Sequence, residues 1–267
     1  MRDRTSERSR KLEIEQFNDS ITQSLNKEEE IMFTKTAYYY DKIYSFKDYQ
    51  AEVESLLPLI REHLHSGGNS LLDIACGTGS HIEYLKEHFD VEGLDISEEL
   101  LEIAQTRNPT IPFHLGDMID FNLGRRFDVI TCLFSSIGYV KTLDNLTRTI
   151  GCMVRHLVPG GLLLIEPWFT PDTWHPGTVH AMLIDEPKLK IARVNTSFAK
   201  GRLSYFDLHH LIATPEGTEH IVEHHELGLF TTDEISGILK NAGLSVAHDP
   251  DGLMGRGLFI GERLKGD

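Results

Sequence analysis

The spacing of hydrophobic positions changes twice along the chain. Beyond the aromatic segment 38–49, apolar residues at helical spacing predict a helix that ends near Gly67-Gly68, and Pro58 should kink or restart it. Short apolar runs then alternate with helical stretches. The predicted strands are 71–75, 91–96, 113–115, 127–133 and 162–166, and the predicted helices are 81–88, 97–106 and 143–157. This alternation predicts βαβ units and a parallel sheet that binds ligands at the carboxyl ends of its strands.

After residue 168 the pattern becomes antiparallel. Three strands are predicted, at 188–198, 203–213 and 219–229, because turn-forming residues separate them. A helix that begins at Thr231 or Thr232 and two last strands, 244–248 and 257–262, follow. We therefore predict one domain over 34–267, with a lid or insert at about 170–229. Residues 1–33 form an N-terminal extension, either an amphipathic helix or a partly ordered segment.

Composition narrows the classes of function. Lys and Arg total 26 and Asp and Glu total 41, which gives a formal charge of −15, and no basic cluster offsets it. Broad nucleic-acid binding is therefore not expected. No apolar run approaches the roughly 18 residues that span a bilayer, so no membrane partner is expected. The three cysteines form no CxxC pair and the first residues are charged, which favours a cytoplasmic protein.

The first predicted strand runs into a glycine turn that opens a helix. In LLDIACGTGS, Gly77 and Gly79 allow a ligand to approach the backbone closely, because no Cβ blocks it. A dinucleotide site would have a third glycine at position 82, where this chain has Ile82. The turn therefore favours a compact ligand over a pyrophosphate.

Two acidic residues follow the next two strands. Asp95 ends the second strand, where a carboxylate can accept hydrogen bonds from both ribose hydroxyls. Asp117 and Met118 follow the third strand, where they could accept from an exocyclic amine and pack on a purine face. Either aspartate alone could equally cap a helix or loop. Their joint order after a glycine turn is more specific for a nucleoside.

These segments resemble the class I S-adenosylmethionine-dependent methyltransferases. The resemblance runs from about residue 38 to 264 and includes LLDIACGTGS, GLDIS, GDMIDF, FDVITCLFSSIGYV and HLVPGG. The segments YDKIY, FSSIGYVKT, EPWF, HHLIATP and GRGLFIG are similar to the N-methyltransferases that dimethylate nucleoside-diphosphate-linked deoxyaminosugars, of the desosamine and mycaminose type. The resemblance implies an α/β fold with a Rossmann-like sheet and S-adenosylmethionine as cofactor. The expected partner is a nucleotide-linked amino sugar. Separately from the resemblance, the N-terminal extension could cap the domain or dock on a second subunit, so a homodimer is possible.

The resemblance also implies roles for individual positions. The cofactor would contact Tyr44, Asp73, Ala75, Gly77, Gly79, Asp95, Ile96, Asp117, Met118, Leu133 and Ser135. The substrate would contact Tyr40, Tyr139, Trp168, Phe169 and Arg256. Tyr44 and Tyr139 would take part in catalysis. Position 139 is sometimes a histidine in such enzymes, so a histidine base at that position does not transfer to this chain.

The chemistry of methyl transfer suits these residue types. A thioether leaving group needs no acid, so the protein must mainly align the reactants and exclude water, and aromatic walls attract a sulfonium. A guanidinium at Arg256 would match a diphosphate, although a turn could also place it on the surface. The histidines of the insert alternate between faces and predict no metal site, and one of them could accept the amine proton. Two alternatives stay open: methylation of another small amine, hydroxyl or carboxylate, and a non-catalytic scaffold that binds the cofactor.

Overall fold

The computed structural model describes residues 36–265, and the predicted N-terminal extension, 1–33, lies outside them. The strands are β1 (Ser70–Ile74), β2 (Asp90–Asp95), β3 (Phe113–Leu115), β4 (Phe127–Cys132), β5 (Leu157–Ile165), β6 (Val179–Glu186), β7 (Leu189–Lys200), β8 (Leu203–Thr214), β9 (Gly217–Gly228), β10 (Leu244–Asp249) and β11 (Leu258–Arg263). The α-helices are α1 (Tyr40–Ile43), α2 (Tyr49–His63), α3 (Ile82–Leu85), α4 (Glu98–Arg107), α5 (Leu143–Arg155) and α6 (Thr232–Asn241).

The larger sheet contains seven strands in the order β10-β11-β5-β4-β1-β2-β3. β1 to β5 pair in parallel, whereas β11 pairs antiparallel with both β5 and β10. The chain winds outwards in both directions from β1 and β4, and a crevice at the carboxyl ends of the strands is expected at such a switch point. The predicted Rossmann-like fold class is confirmed.

Helices cover both faces of this sheet. On one face, α5 and α6 bury Leu146, Ile150 and Leu239 in a core that includes Phe127. On the other face, α2, α3 and α4 pack against Leu71, Val91 and their neighbours. The two cores fix the strands rigidly, so the loops at the strand ends are held in defined positions.

Of the kink or restart predicted at Pro58, the restart is wrong, because a single helix, α2, continues through this residue. A kink there stays a prediction. Pro58 and Glu54 both lie on the exposed face of the helix. Since a proline lacks the N–H that would bond to the carbonyl four residues earlier, that carbonyl of Glu54 can bond to water instead. The buried residues Val53 and Ile60 hold the helix against the sheet on its other face.

The insert is a separate antiparallel sheet in the order β6-β7-β8-β9. It therefore has four strands rather than the predicted three. The missed strand, β6, lies at the edge, and its residues are exposed or only half-buried. An edge strand without a buried face gives little hydrophobic alternation, which is why its pattern did not stand out.

None of the helices that the structure describes is both long and apolar enough to cross a lipid bilayer. Cys76, Cys132 and Cys152 are all free and buried.

Candidate functional site

A cavity of about 750 Å³ lies at the carboxyl ends of β1 to β4, between α1 and one face of the insert sheet. Twelve of the sixteen site residues expected from sequence line it: Tyr40, Tyr44, Ala75, Gly77, Asp95, Ile96, Asp117, Met118, Tyr139, Trp168, Phe169 and Arg256. Four of the expected cofactor contacts, Asp73, Gly79, Leu133 and Ser135, are not among the lining residues.

The glycine turn after β1 presents bare backbone to the cavity. A Cβ added to Gly77 would meet no atom within 4 Å, and its φ of +54° lies in the left-handed region. Ala75, with φ of 56°, adopts the same region although it is not a glycine. Backbone strain of this kind persists where the surrounding structure imposes it, and it clusters at binding sites.

Asp95, at the end of β2, is fixed by backbone donors. Its Oδ2 accepts from the N–H of Gly77 at 2.8 Å, and its Oδ1 accepts from the N–H of Ser97 at 2.9 Å. Burial raises the pKa of Asp95, although these backbone hydrogen bonds oppose the shift. Each carboxylate oxygen has a further lone pair, so the side chain can still accept hydrogen bonds from a diol.

The wall beside Asp95 is apolar and open. Ile96 lines the cavity and is 56% exposed, and Met118 lies on the same wall. Asp117, on this wall, accepts from the N–H of Ile119 through Oδ1 at 2.9 Å. An exposed isoleucine and a methionine flanked by carboxylates suit a flat heterocycle joined to a ribose. The residues present therefore fit an adenosine group in this half of the cavity.

The four expected residues that do not line the cavity make contacts within the protein instead. Gly79 packs on α4, because an added Cβ would lie 2.9 Å from Nδ2 of Asn108. Leu133 belongs to a buried core, and the hydroxyl of Ser135 donates to the carbonyl of Pro167 at 2.6 Å. Asp73 accepts from Thr131 through Oδ1 at 2.7 Å. Direct cofactor contacts by these four residues stay predictions.

Glu166 contacts the loop after β4 and the side chain of Arg256, and the sequence analysis did not identify it as a site residue. It is fully buried, and its Oε2 accepts from the N–H of Phe134 at 2.6 Å. Its Oε1 lies 3.4 Å from Nη2 of Arg256. The sequence did offer a signal for it, because Glu166 is an acidic residue at the end of the otherwise apolar predicted strand 162–166. Glu166 thus holds both an aromatic wall and a cation at the cavity.

Aromatic rings surround the Arg256 side of the cavity. The centre of the guanidinium lies 5.7 Å from the ring centres of Phe134 and Trp168 and 5.8 Å from that of Phe169. The ring of Trp174 packs against Trp168 and Phe169, with both pairs of centroids 5.6 Å apart. This half of the cavity therefore combines apolar walls that exclude water with a cation aimed among them.

The insert sheet contributes two further residues to the cavity, Arg193 and His225. The guanidinium centre of Arg193 lies 5.4 Å from the ring centre of Tyr44. The hydroxyl of Tyr139 lies 2.9 Å from Nδ1 of His225. His225 is buried while its neighbour His224 is exposed, so the predicted alternation of adjacent histidines is confirmed. Within residues 36–265, no group of three or more His, Cys, Asp or Glu side chains is arranged to hold a metal ion.

Comparison with known families places the β1–β5 region in a methyltransferase family. Residues 71–161 match the family model described as "Methyltransferase domain". The chain is 41% identical over 227 residues to the dTDP-4-amino-2,3,4,6-tetradeoxy-D-glucose N,N-dimethyltransferase of Saccharopolyspora spinosa, covering 84% of this chain and 91% of that protein. It is also 41% identical over 217 residues to the dTDP-3-amino-3,6-dideoxy-alpha-D-glucopyranose N,N-dimethyltransferase of Streptomyces fradiae, covering 80% of this chain and 85% of that protein.

The fold is also similar to solved structures of methyltransferases. The crystal structure of DesVI from Streptomyces venezuelae superposes with a TM-score of 0.79 at 38% identity, over 84% of this chain and 97% of DesVI. The structure of SAM-bound CalS10, an amino pentose methyltransferase from Micromonospora echinaspora involved in calicheamicin biosynthesis, superposes with a TM-score of 0.77 at 32% identity, over 89% of this chain and 100% of CalS10.

Proposed function

Because this chain belongs to the S-adenosylmethionine-dependent N,N-dimethyltransferases of nucleotide-linked amino sugars, we propose that it dimethylates the amine of a dTDP-linked deoxyaminosugar. The sugars named for the relatives carry their amine at either C3 or C4. The proposal therefore specifies the class of substrate but not the position of its amine on the sugar ring.

The observation that carries this proposal is the division of one cavity into two chemically distinct halves. The half beside Asp95 and Ile96 has the carboxylates and open apolar wall that a nucleoside requires. The other half contains Arg193 and Arg256 among aromatic rings. Since the chain has a formal charge of −15, two guanidinium groups in one cavity favour an anionic substrate there.

The residues of the chain contribute alignment and exclusion of water. When bound, S-adenosylmethionine supplies a methyl group on a cationic sulfur. The Gly77 backbone and Asp95 would hold its nucleoside portion at the carboxyl end of the sheet. Arg256, held by Glu166, would bind the diphosphate of the substrate and so fix the position of the sugar amine. Tyr44 lies where α1 meets the insert, and its ring can exclude water from the reacting atoms.

Mass spectrometry of a dTDP-aminosugar incubated with the protein and S-adenosylmethionine tests the proposed reaction. The expected result is a monomethyl product that converts to a dimethyl product. The matched controls are the dTDP-sugar with a hydroxyl in place of the amine and the free amino sugar, and both should remain unmethylated or react far more slowly. Methylation of the hydroxyl analogue, or equal rates with the free sugar, would contradict the proposal.

Arg256→Ala tests recognition of the diphosphate. Losing a bidentate anion contact of roughly 1.5–3 kcal/mol should raise KM for the nucleotide sugar at least tenfold and change the affinity for S-adenosylmethionine little. Lys200→Ala, which removes an exposed cation at the end of β7, is the control and should leave KM unchanged. An unchanged KM in Arg256→Ala would show that the diphosphate does not contact this arginine.

We also propose that the chain forms a homodimer through the outer face of the insert sheet. That face carries a set of exposed apolar side chains: Val179, Leu183, Val194, Phe198 and Leu211. Strand pairing places them on the side opposite the cavity. Sedimentation of the full chain should give a dimer, and Leu183→Lys should shift it towards monomer. A monomeric full chain at micromolar concentration would contradict this proposal.

A further inference from the structure

Every methyl transfer to an amine requires that a proton leave. A sugar amine is largely protonated near neutral pH, and an ammonium has no lone pair with which to attack a methyl group. It must lose one proton before the first transfer, and the resulting secondary ammonium must lose another before the second. If the proposed function holds, the cavity therefore needs a route for two protons in succession.

A chain of polar side chains leads from the cavity into the insert sheet. Tyr139 lies on the 3-10 helix Ser136–Val140 and lines the cavity. Its hydroxyl lies 2.9 Å from Nδ1 of His225, on β9. Nε2 of His225 lies 3.8 Å from Oε2 of Glu223, two residues earlier on the same face of that strand. The three side chains therefore run in sequence from the cavity to a buried carboxylate.

Glu223 is held in its ionised form. Thr36 donates to Oε1, and Nε2 of His210 lies 3.2 Å from Oε2. Burial alone would raise the pKa of Glu223, but the neighbouring imidazoles of His210 and His225 and the hydrogen bond from Thr36 outweigh burial and lower the pKa to about 2. A carboxylate beside Nε2 favours the tautomer that carries a proton there, so that Nδ1 is unprotonated and accepts from Tyr139.

We propose that Tyr139, His225 and Glu223 form a relay that removes the proton from the substrate amine. The ammonium N–H bond breaks and its proton passes to the oxygen of Tyr139, while the proton of that hydroxyl passes to Nδ1 of His225. The products are a neutral amine, a restored tyrosine hydroxyl and an imidazolium beside the Glu223 carboxylate. The imidazolium then releases its proton to water before the next cycle.

The surroundings of the relay suit this role. The ring of Phe206 stacks on His225, with centroids 5.3 Å apart and planes 12° apart, and so fixes the orientation of the imidazole. The charged or titratable groups that face the relay include Glu223 and His210 beside His225, and Tyr40, Tyr44 and Asp95 near Tyr139. Burial raises the pKa of Tyr139 well above its ordinary value, so its hydroxyl passes a proton on without ionising.

The pH dependence of kcat in Tyr139→Phe and His225→Gln tests the relay. Near neutral pH each variant should lose about 100-fold in kcat, because proton removal by a positioned group contributes about that much. As the pH rises above the pKa of the substrate amine, the amine binds already neutral, so the rates of both variants should converge on that of the parent protein. The double variant should lose no more than either single variant, because both act in one step.

His224→Gln is the matched control. His224 is the neighbour of His225 on β9, but it is exposed on the outer face and paired with Asp207. It should retain the parent rate at every pH. A loss in Tyr139→Phe and His225→Gln that is the same at all pH values would overturn the relay and indicate a structural role. Failure of the parent protein to methylate any dTDP-aminosugar would instead overturn the proposed function, so the two failures are distinguishable.

Discussion

At the scale of single residues, the two glycines of the turn after β1 have different tasks. Both have positive φ, so an alanine at either position meets the same unfavourable backbone conformation. Only the surroundings differ. A Cβ at Gly77 would point into open space at the cavity, whereas one at Gly79 would lie 2.9 Å from Asn108 and 3.2 Å from Ala104.

The Gly77→Ala and Gly79→Ala pair should therefore separate binding from stability. Gly77→Ala should weaken S-adenosylmethionine binding at least tenfold, because the methyl group occupies the space of the ligand. Gly79→Ala should lose about 1–3 kcal/mol more free energy of unfolding than Gly77→Ala, because it overpacks the contact with α4. Calorimetric titration and urea unfolding measure the two effects. Equal losses of affinity would show that both glycines face the ligand.

The buried carboxyl group of Asp73 has a raised pKa. Burial raises its pKa to about 6, and among the described residues its Oδ2 has no hydrogen-bond partner. Between the ordinary pKa of about 4 and this value, the folded state holds a proton that the unfolded chain releases. The contribution of Asp73 to the free energy of unfolding therefore falls as the pH rises through this range, by roughly 2–3 kcal/mol.

Asp73→Asn should remove this pH-dependent decrease in the free energy of unfolding. Urea unfolding at about pH 4 and about pH 8 should show the variant gaining roughly 2–3 kcal/mol on the parent protein as the pH rises. Asp128→Asn should show the opposite sign in a lower window, between about pH 4 and about pH 2, since hydrogen bonds from the hydroxyl and N–H of Ser70 outweigh the effect of burial and lower the pKa of Asp128. Parallel pH profiles for parent and Asp73→Asn would contradict this assignment.

Local motifs made some of these residues predictable and left others hidden. Gly77, Asp95 and Met118 follow strands directly, so a short stretch of sequence both forms and identifies their part of the site. Arg193 and His225 lie on strands of the insert. Strand alternation shows that adjacent residues face opposite sides, but it does not show which side covers the cavity, because that depends on packing between distant segments.

At the scale of elements, α1 is tied to the glycine turn by a polar cluster. The carboxylate of Asp41 pairs with Arg107 of α4, and its Oδ1 accepts from the hydroxyl of Thr78 at 2.7 Å. Arg107 also donates to the carbonyl of Thr78 at 3.0 Å. Because α1 carries Tyr40 and leads into Tyr44, this cluster positions one wall of the cavity.

Asp41→Ala should loosen α1 without unfolding the domain. A partly exposed ion pair is worth about 1 kcal/mol, so we expect about a fivefold loss of S-adenosylmethionine affinity and faster hydrogen exchange in α1. Glu83→Ala is the control, because Glu83 lies 3.7 Å from Arg107 and its removal leaves the contact with Asp41 intact. Unchanged exchange in α1 would show that the aromatic contacts alone hold it.

The elements themselves were largely predictable where hydrophobic periodicity was strong. β3 has the predicted bounds, and α6 begins after Thr231, whose side chain and that of Glu234 form a capping box. β5 begins at Leu157 rather than at the predicted residue 162, because Leu157 already pairs with Phe127 of β4. The Pro159-Gly160-Gly161 segment has the residue types of a turn, but here it lies where the register between the two strands shifts, before pairing resumes at Leu162.

At the scale of the whole molecule, an acidic protein presents two guanidinium groups inside one cavity. The sheet supplies the nucleoside half through its strand ends, and the insert and α1 close over the other half. Neither part alone would bring a methyl donor and an anionic acceptor together. The insert is therefore part of the site, which explains why its inner face carries polar and aromatic side chains.

A crystal structure with S-adenosylhomocysteine and a dTDP-aminosugar bound together tests this arrangement most directly. We expect the adenosine beside Asp95 and Met118, the diphosphate against Arg256, and the sugar amine between the thioether sulfur and Tyr139. Adenosine bound away from Asp95, or a nucleotide sugar bound outside the space between the sheet and the insert, would contradict it.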